Sequence, residues 1–159
     1  MKETKKILIA NRGVIAIRAL RAAKELGYKV ACVYSTVDKD QKHLKLSDEA
    51  ICIGPGPAKD SYLNEAAIIA AAELADVDAI YPGFGFLAEN ASFAEKCNQS
   101  GFKFIGPDPK VIEIMGDKIK AKDLVDSLGI PIVPGYSGDI TSNDQIKPIV
   151  KEIGYPVIV

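Results

Sequence analysis

One histidine, three cysteines, no tryptophan and a net charge of -1 narrow what this chain of 159 residues can do. With His43 alone, neither a multi-histidine metal site nor a Ser-His-Asp triad can be assembled. Cys32, Cys52 and Cys97 are odd in number and show no CxxC spacing, so they read as buried free thiols in a reducing compartment. A near-zero charge offers no electrostatic footprint for nucleic acid or anionic lipid. The longest apolar run, Ala66–Ala72, falls far short of the ~20 residues needed to cross a bilayer. The opening "MKETKKILIANRG" holds only Ile7–Ala10 as an apolar stretch, too little for a secretory h-region. The expectation is a cytoplasmic protein with no nucleic-acid partner and no membrane partner. Internal repeats and low-complexity tracts are also lacking.

What is present is an alternation of short β-branched runs with helical patterns. The sequence predicts strands at Lys5–Ala10, Lys29–Ser35, Glu49–Ile53, Val77–Tyr81 and Phe102–Gly106. Between them it predicts helices over Val14–Leu26, Asn64–Ala75 and Ala88–Ser100, the first and last stopped by Gly27 and Gly101. "KKILIA" is apolar enough to be buried on both faces. The fold class that follows is α/β, a Rossmann-like parallel sheet with helices on both faces, over residues 1–106.

Beyond Gly106 the rhythm changes. Residues 107–159 read as linker helices on either side of Gly116, a Pro-bounded extended piece, and a helix over Asn143–Glu152 that Pro148 should kink or delay. "GYPVIV" then reads as the start of a strand. An apolar strand is an unprotected place to stop, so the expectation is a piece of a longer protein.

The motifs are weak one by one. "ILIANRGVIAIR" runs a buried strand into a helix N-terminus, but Gly13 stands alone, Ala16 fills a later glycine place, and the second strand ends in Tyr34, Ser35 and Thr36 without an acid. The dinucleotide fingerprint therefore fails. "GPGPAKDSY" lacks the phosphate-loop order and reads as a stiff turn. Arg18, Arg21 and Glu25 form one helical stripe, read either as a solvated face with a local ion pair or as a subunit contact. In "MGDKIKAK", Asp117 is a candidate N-cap and Lys118 opposes the helix dipole, which suits an anionic ligand or an ordinary surface lysine. "AIYPGFGFLAEN" ends a strand in a bare loop around Gly83 and Gly85, a corner or a site.

Taken together, "ILIANRGVIAIR", "SDEAICIG", "SYLN", "YPGFGFLAEN", "FIGPDPKVIEIMGDKIKAK", "IPIVPG" and "IGYPVIV", in this order and spacing, resemble the biotin carboxylase family of ATP-grasp enzymes. The likeness spans essentially the whole chain and is strongest to the biotin carboxylase subunits of bacterial acetyl-CoA carboxylases. Similar domains occur in pyruvate and other acyl-CoA carboxylases, and other ATP-grasp ligases share the architecture. A non-catalytic α/β dimerisation module is the alternative from another class.

The resemblance implies a pre-ATP-grasp domain over 1–106, with 107–159 entering a truncated ATP-grasp lid. It implies ATP, Mg2+ or Mn2+, bicarbonate and carrier-bound biotin, in the first half-reaction of acetyl-CoA carboxylase in fatty-acid synthesis. Carboxyphosphate would break down to CO2 and phosphate while biotin loses its N1′ proton. The implied partners are biotin carboxyl carrier protein, a carboxyltransferase and a second copy as homodimer. Carried over by position, Lys118 contacts ATP phosphate, Phe84 and Gly85 wall the biotin pocket, and Arg18, Arg21 and Glu25 make the dimer contact. The family's catalytic bases and metal ligands match nothing in this chain, which is expected to be inactive alone. The chain departs from the family at Val14, usually glutamate, and at Phe84, usually tyrosine. The first departure should cost ~0.5–1 kcal/mol of helix stability, and the second removes a phenol hydroxyl.

Overall fold

A computed structural model describes residues 5–136, 138 and 140–158. It divides into two compact units, residues 1–113 and 114–159.

The first unit is built on a five-stranded sheet of β1 (Lys6–Ile9), β2 (Lys29–Tyr34), β3 (Glu49–Cys52), β4 (Ala79–Tyr81) and β5 (Lys103–Phe104). All pairs are parallel, in the order β3-β2-β1-β4-β5. Successive side chains point to opposite faces, so each central strand must be apolar twice over. Leu8, Ala31, Val33 and Ile80 pack on one face with α3 (Glu65–Leu74) and α4 (Ala91–Gln99). Ile7, Ile9, Val30, Cys32 and Ala79 pack on the other with α1 (Gly13–Glu25) and Leu44 of α2 (Lys42–Leu46). The expected Rossmann-like sheet with helices on both faces is what forms.

Local chemistry sets the ends. Asn64 and Asn90 cap α3 and α4, each side-chain oxygen accepting a backbone N–H three residues on. The Asn90 cap moves the start of α4 to Ala91, because the residues expected as its first turn fold as tight turns, with Ala88 N–H donating to the Gly85 carbonyl. Helix α1 has no such aid: Arg12 makes no side-chain cap, the first turn holds no acid, and Val14 is 77% exposed. The short α2 was not expected from the sequence. It is held by its one apolar side, where His43 is fully buried and lies 3.4 Å through Nε2 from the Val33 carbonyl. Cys32 and Cys97 are buried as expected, but Cys52 is exposed, on edge strand β3 where alternate residues, Ala50 and Cys52, both face solvent.

Helix α5 (Pro109–Gly116) carries the chain out of the sheet, with Ile112 buried in the first core. The second unit contains α6 (Lys118–Ser127) and α7 (Asn143–Ile153). Pro148 lies inside α7 and does not delay its start, since the Gln145 side chain already accepts the Thr141 and Ser142 N–H groups at the helix entrance. The strand expected at 154–159 does not form over the described residues 154–158. Tyr155 and Ile158 are exposed, no strand pairs with them, and Val159 lies outside the described residues.

The core makes a direct stability prediction. Phe93 is fully buried and meets Phe104 edge-on at 6.1 Å between ring centroids. Phe93→Ala should cost about 3–5 kcal/mol in urea unfolding, whereas Leu74→Ala at an exposed helix end should stay within about 0.5 kcal/mol.

Candidate functional site

The sheet order places β2 on one side of β1 and β4 on the other, so the connections reverse direction there. In an open parallel sheet the crevice beyond the carboxyl ends of such strands is where ligands bind. Two segments fill it: residues Asn11–Gly13 after β1, and the loop Pro82–Phe86 after β4.

Asn11 ties the two together. Its buried side chain donates through Nδ2 to the carbonyls of Pro82 at 2.8 Å and Phe84 at 3.0 Å, while Oδ1 accepts the Arg12 N–H at 2.8 Å. The loop is left-handed at Gly83 (φ 77°), Gly85 (φ 68°) and, unusually for a bulky residue, Phe86 (φ 45°). Gly83 is needed on two counts, since a Cβ there would lie 2.9 Å from both Asn11 Nδ2 and Ile15 Cγ2. Gly85 faces open space, with nothing within 4 Å of an added Cβ. Phe84 projects outward and is 76% exposed. Beside it, Val14, Ile15, Gly85 and Phe86 help line an open groove of about 400 Å³.

Phe86 turns the other way. Its ring stacks on Tyr62 at 5.1 Å and 13° between planes, and the Arg12 guanidinium carbon lies 5.2 Å from the Tyr62 centroid and 5.6 Å from that of Phe86. Arg12 also pairs with buried Asp38, Nη1 to Oδ2 at 3.3 Å. Asp38 Oδ2 further accepts from the Ser35 and Tyr62 hydroxyls, both at 2.7 Å, and Oδ1 accepts from the Gln41 amide at 2.7 Å. Burial alone would raise the Asp38 pKa; hydrogen bonds from Ser35, Tyr62 and Arg12, with the Arg12 charge, outweigh it and hold the carboxyl below its ordinary range. Burial and the bond to Asp38 push the Tyr62 phenol up to about 12.

The remaining candidates lie elsewhere. Lys118 is exposed in the first turn of α6, in the second unit. Asp117 does cap that helix, its carboxylate accepting the Ile119 and Lys120 N–H groups at 2.9 and 3.0 Å. Arg18, Arg21 and Glu25 are all exposed on α1, and the local ion pair read for that stripe does not form among the described residues. Arg18 also borders an apolar groove of about 370 Å³ between α1 and the sheet, lined by Ile9, Ala22, Leu26, Tyr81 and Ile105 among others. Burial pushes the Cys32 and Cys97 thiols up to about 12, so neither is a nucleophile near neutrality. Among the described residues, no group of three His, Cys, Asp or Glu side chains could hold a metal ion.

Phe84 and Gly85 thus share one groove, whereas Asn11, Arg12, Asp38, Tyr62 and Phe86 escaped the reading of the sequence. A signal was present for Asp38: Ser35-Thr-Val-Asp38 is a serine and an acid three apart after a strand, and the chain curls through a 3-10 turn at Thr36–Asp38 so that they meet. The acid missing from the end of β2 is there, used internally.

Comparison with known proteins extends the picture. Residues 3–112 match the family model described as biotin carboxylase, N-terminal domain, and residues 117–159 match that of the carbamoyl-phosphate synthase L chain, ATP binding domain. A biotin carboxylase of Pseudomonas aeruginosa is 55% identical over 97% of this chain and 34% of its own length. One of Haemophilus influenzae is 57% identical over 97% of this chain and 35% of its own. The crystal structure of a biotin carboxylase β-γ-ATP complex from Campylobacter jejuni superposes with a TM-score of 0.90 at 52% identity, covering 97% of this chain and 34% of that one. The chain therefore spans about a third of the length of the curated relatives it matches.

Two measurements check the site's physics. Gly83→Ala should destabilise the protein by about 2–4 kcal/mol, combining a left-handed penalty with the collision against Asn11 and Ile15, while Gly85→Ala should cost only about 1 kcal/mol. Because the folded pKa of Asp38 is lowered, its stabilisation is fully present above the unfolded value of about 3.9 and is lost as pH falls through the folded value. Urea unfolding of Asp38→Asn should show about 1–3 kcal/mol less stability at pH 7 and a shallower loss below pH ~4 than the parent.

Proposed function

The chain belongs to the biotin carboxylase family through its N-terminal domain, and from that premise we propose that it is the N-terminal part of an ATP-dependent biotin carboxylase. The full-length protein uses ATP and bicarbonate to carboxylate biotin on a carrier protein, forming a C–N bond. Residues 1–106 serve as its Rossmann-like domain and 107–159 enter its ATP-grasp domain. The observation that carries this reading is the glycine loop at the switch point of the sheet. It shows an exposed aromatic ring and open backbone in an apolar-sided groove, on a chain whose residues 3–112 match the family's N-terminal domain.

The groove suits a compact fused-ring substrate. The ring of Phe84 offers an apolar face, and Gly85 lets the substrate approach the backbone closely. Phe84 and Gly85 form one wall of the biotin site; Phe84 contributes packing without a hydroxyl. Lys118 meets the phosphates of ATP as a mobile point charge, and Asp117, tied to two backbone N–H groups, keeps the helix start formed beneath it. A divalent cation, Mg2+ or Mn2+, would neutralise phosphate charge; its ligands belong to other parts of the protein. Arg18, Arg21 and Glu25 present an exposed charged stripe for contact with a second copy. Biotin carboxyl carrier protein and a carboxyltransferase are the partners in an acetyl-CoA carboxylase of the cytoplasm. No helix among the described residues is long and apolar enough to cross a membrane.

The full-length protein should cleave ATP only with both bicarbonate and biotin present, and these 159 residues alone should not. Lys118→Ala in the full-length protein should raise the KM for ATP by about tenfold, ~1.4 kcal/mol, with the KM for free biotin within about twofold. Equal effects on both substrates, or none, would count against the assignment of Lys118.

A further inference from the structure

One dipeptide, Asn11-Arg12, reaches both ends of the loop that bears Phe84. Asn11 grips its first half through the Pro82 and Phe84 carbonyls, and Arg12 lies over the ring of Phe86 at its far end. Between these two anchors the chain takes three left-handed residues in four, one of them the bulky Phe86. Such a backbone persists only where its surroundings over-determine it. Arg12 is in turn fixed from below. Asp38, buried and already accepting from Ser35, Tyr62 and Gln41, turns one carboxylate oxygen to the guanidinium, and the Tyr62 and Phe86 rings flank the cation with their centroids 5.2 and 5.6 Å from its central carbon.

We propose that Asn11 and Arg12 are positioning residues for the biotin-binding wall: together they hold Phe84 and Gly85 in the outward-facing geometry that recognises a fused-ring ureido substrate. The proposal rests on Phe84 and Gly85 being that wall. Arg12 acts through Phe86 and Asn11 through two carbonyls, and neither needs to touch the substrate. Strands β1 and β4 are adjacent, so the anchor and the loop sit on neighbouring strands of one sheet, and loss of the anchors frees the loop's outer part while the strands keep their places. A binding wall displaced by about an ångström loses its substrate contacts while leaving the ATP phosphates untouched.

The test compares Arg12→Met, Arg12→Lys and Phe84→Ala in the full-length protein, with kcat/KM measured separately for free biotin and for ATP and thermal melts run alongside. Arg12→Met should lower kcat/KM for biotin about tenfold with the KM for ATP within about twofold, and Arg12→Lys, which keeps a cation beside Asp38 but not the guanidinium's contact with both rings, should recover part of the loss. If Arg12→Met fails to fold, Arg12→Lys carries the test, and a loss of about threefold confined to biotin supports the proposal. Parallel losses for biotin and ATP, or no change in either, would overturn it when Phe84→Ala still impairs biotin alone. Should Phe84→Ala leave biotin kinetics unchanged, the reading of the wall itself falls, and with it this role for Arg12.

Discussion

Everything in the first unit depends on β1 being surrounded. It pairs with β2 on one edge and β4 on the other, and side chains from both of its faces enter separate cores. A strand so enclosed can carry no polar side chain along its length without a buried partner, so its chemistry collects at its carboxyl end. Asn11, Arg12 and Gly13 are that end. The same constraint acts on β4, whose last residue, Tyr81, gives way at once to Pro82 and the glycine loop. Two enclosed strands side by side thus deliver their polar residues and their irregular backbone to one crevice, and the reversal of strand order opens it.

Inside the crevice, the decisive quantities are hydrogen-bond distances rather than net charge. Asp38 would be costly as a buried carboxylate on its own; its four side-chain donors, at 2.7 to 3.3 Å, make it the fixed point of the network. Its charge is matched by Arg12, which lines the groove while Asp38 stays buried. The groove joins apolar sides at Val14, Ile15, Phe84 and Phe86 to the polar residues Asn11 and Arg12, the latter paired with Asp38. That combination of apolar sides and a paired polar frame suits a ligand whose ring is held by packing and whose polar edge meets backbone.

Much of this was legible in the sequence, for a physical reason in each case. The sheet was readable because central parallel strands need continuous apolar runs, as in "ILIA" and "VACV", and because glycines stop the helices between them. The short α2 was not, since five residues carry too little periodicity and His43 gives no hint of being buried. Cys52 was misjudged because β-branched neighbours say nothing about which edge strand is left bare. "GYPVIV" has the composition of a strand, but a strand also needs a neighbour to pair with, and composition cannot supply one. Phe84 and Gly85 stood out through the ordered likeness to a family, not through glycine chemistry. Asn11 and Arg12 stayed hidden because their hydrogen-bond partners lie up to 73 residues away along the chain, and of Asp38's partners Tyr62 and Arg12 lie 24 and 26 residues off, with only the Ser35 and Gln41 contacts local. What joins them is the topology.

The central claim is that the loop after β4 is a wall of the biotin site. A crystal structure of the full-length protein with biotin and bicarbonate tests it most directly. The account predicts the fused ring of biotin within about 4 Å of the Phe84 side chain and the Gly85 backbone, with Asn11 still bonded to the Pro82 and Phe84 carbonyls. Biotin bound away from the loop, with residues 82–86 making no contact to it, would contradict the account.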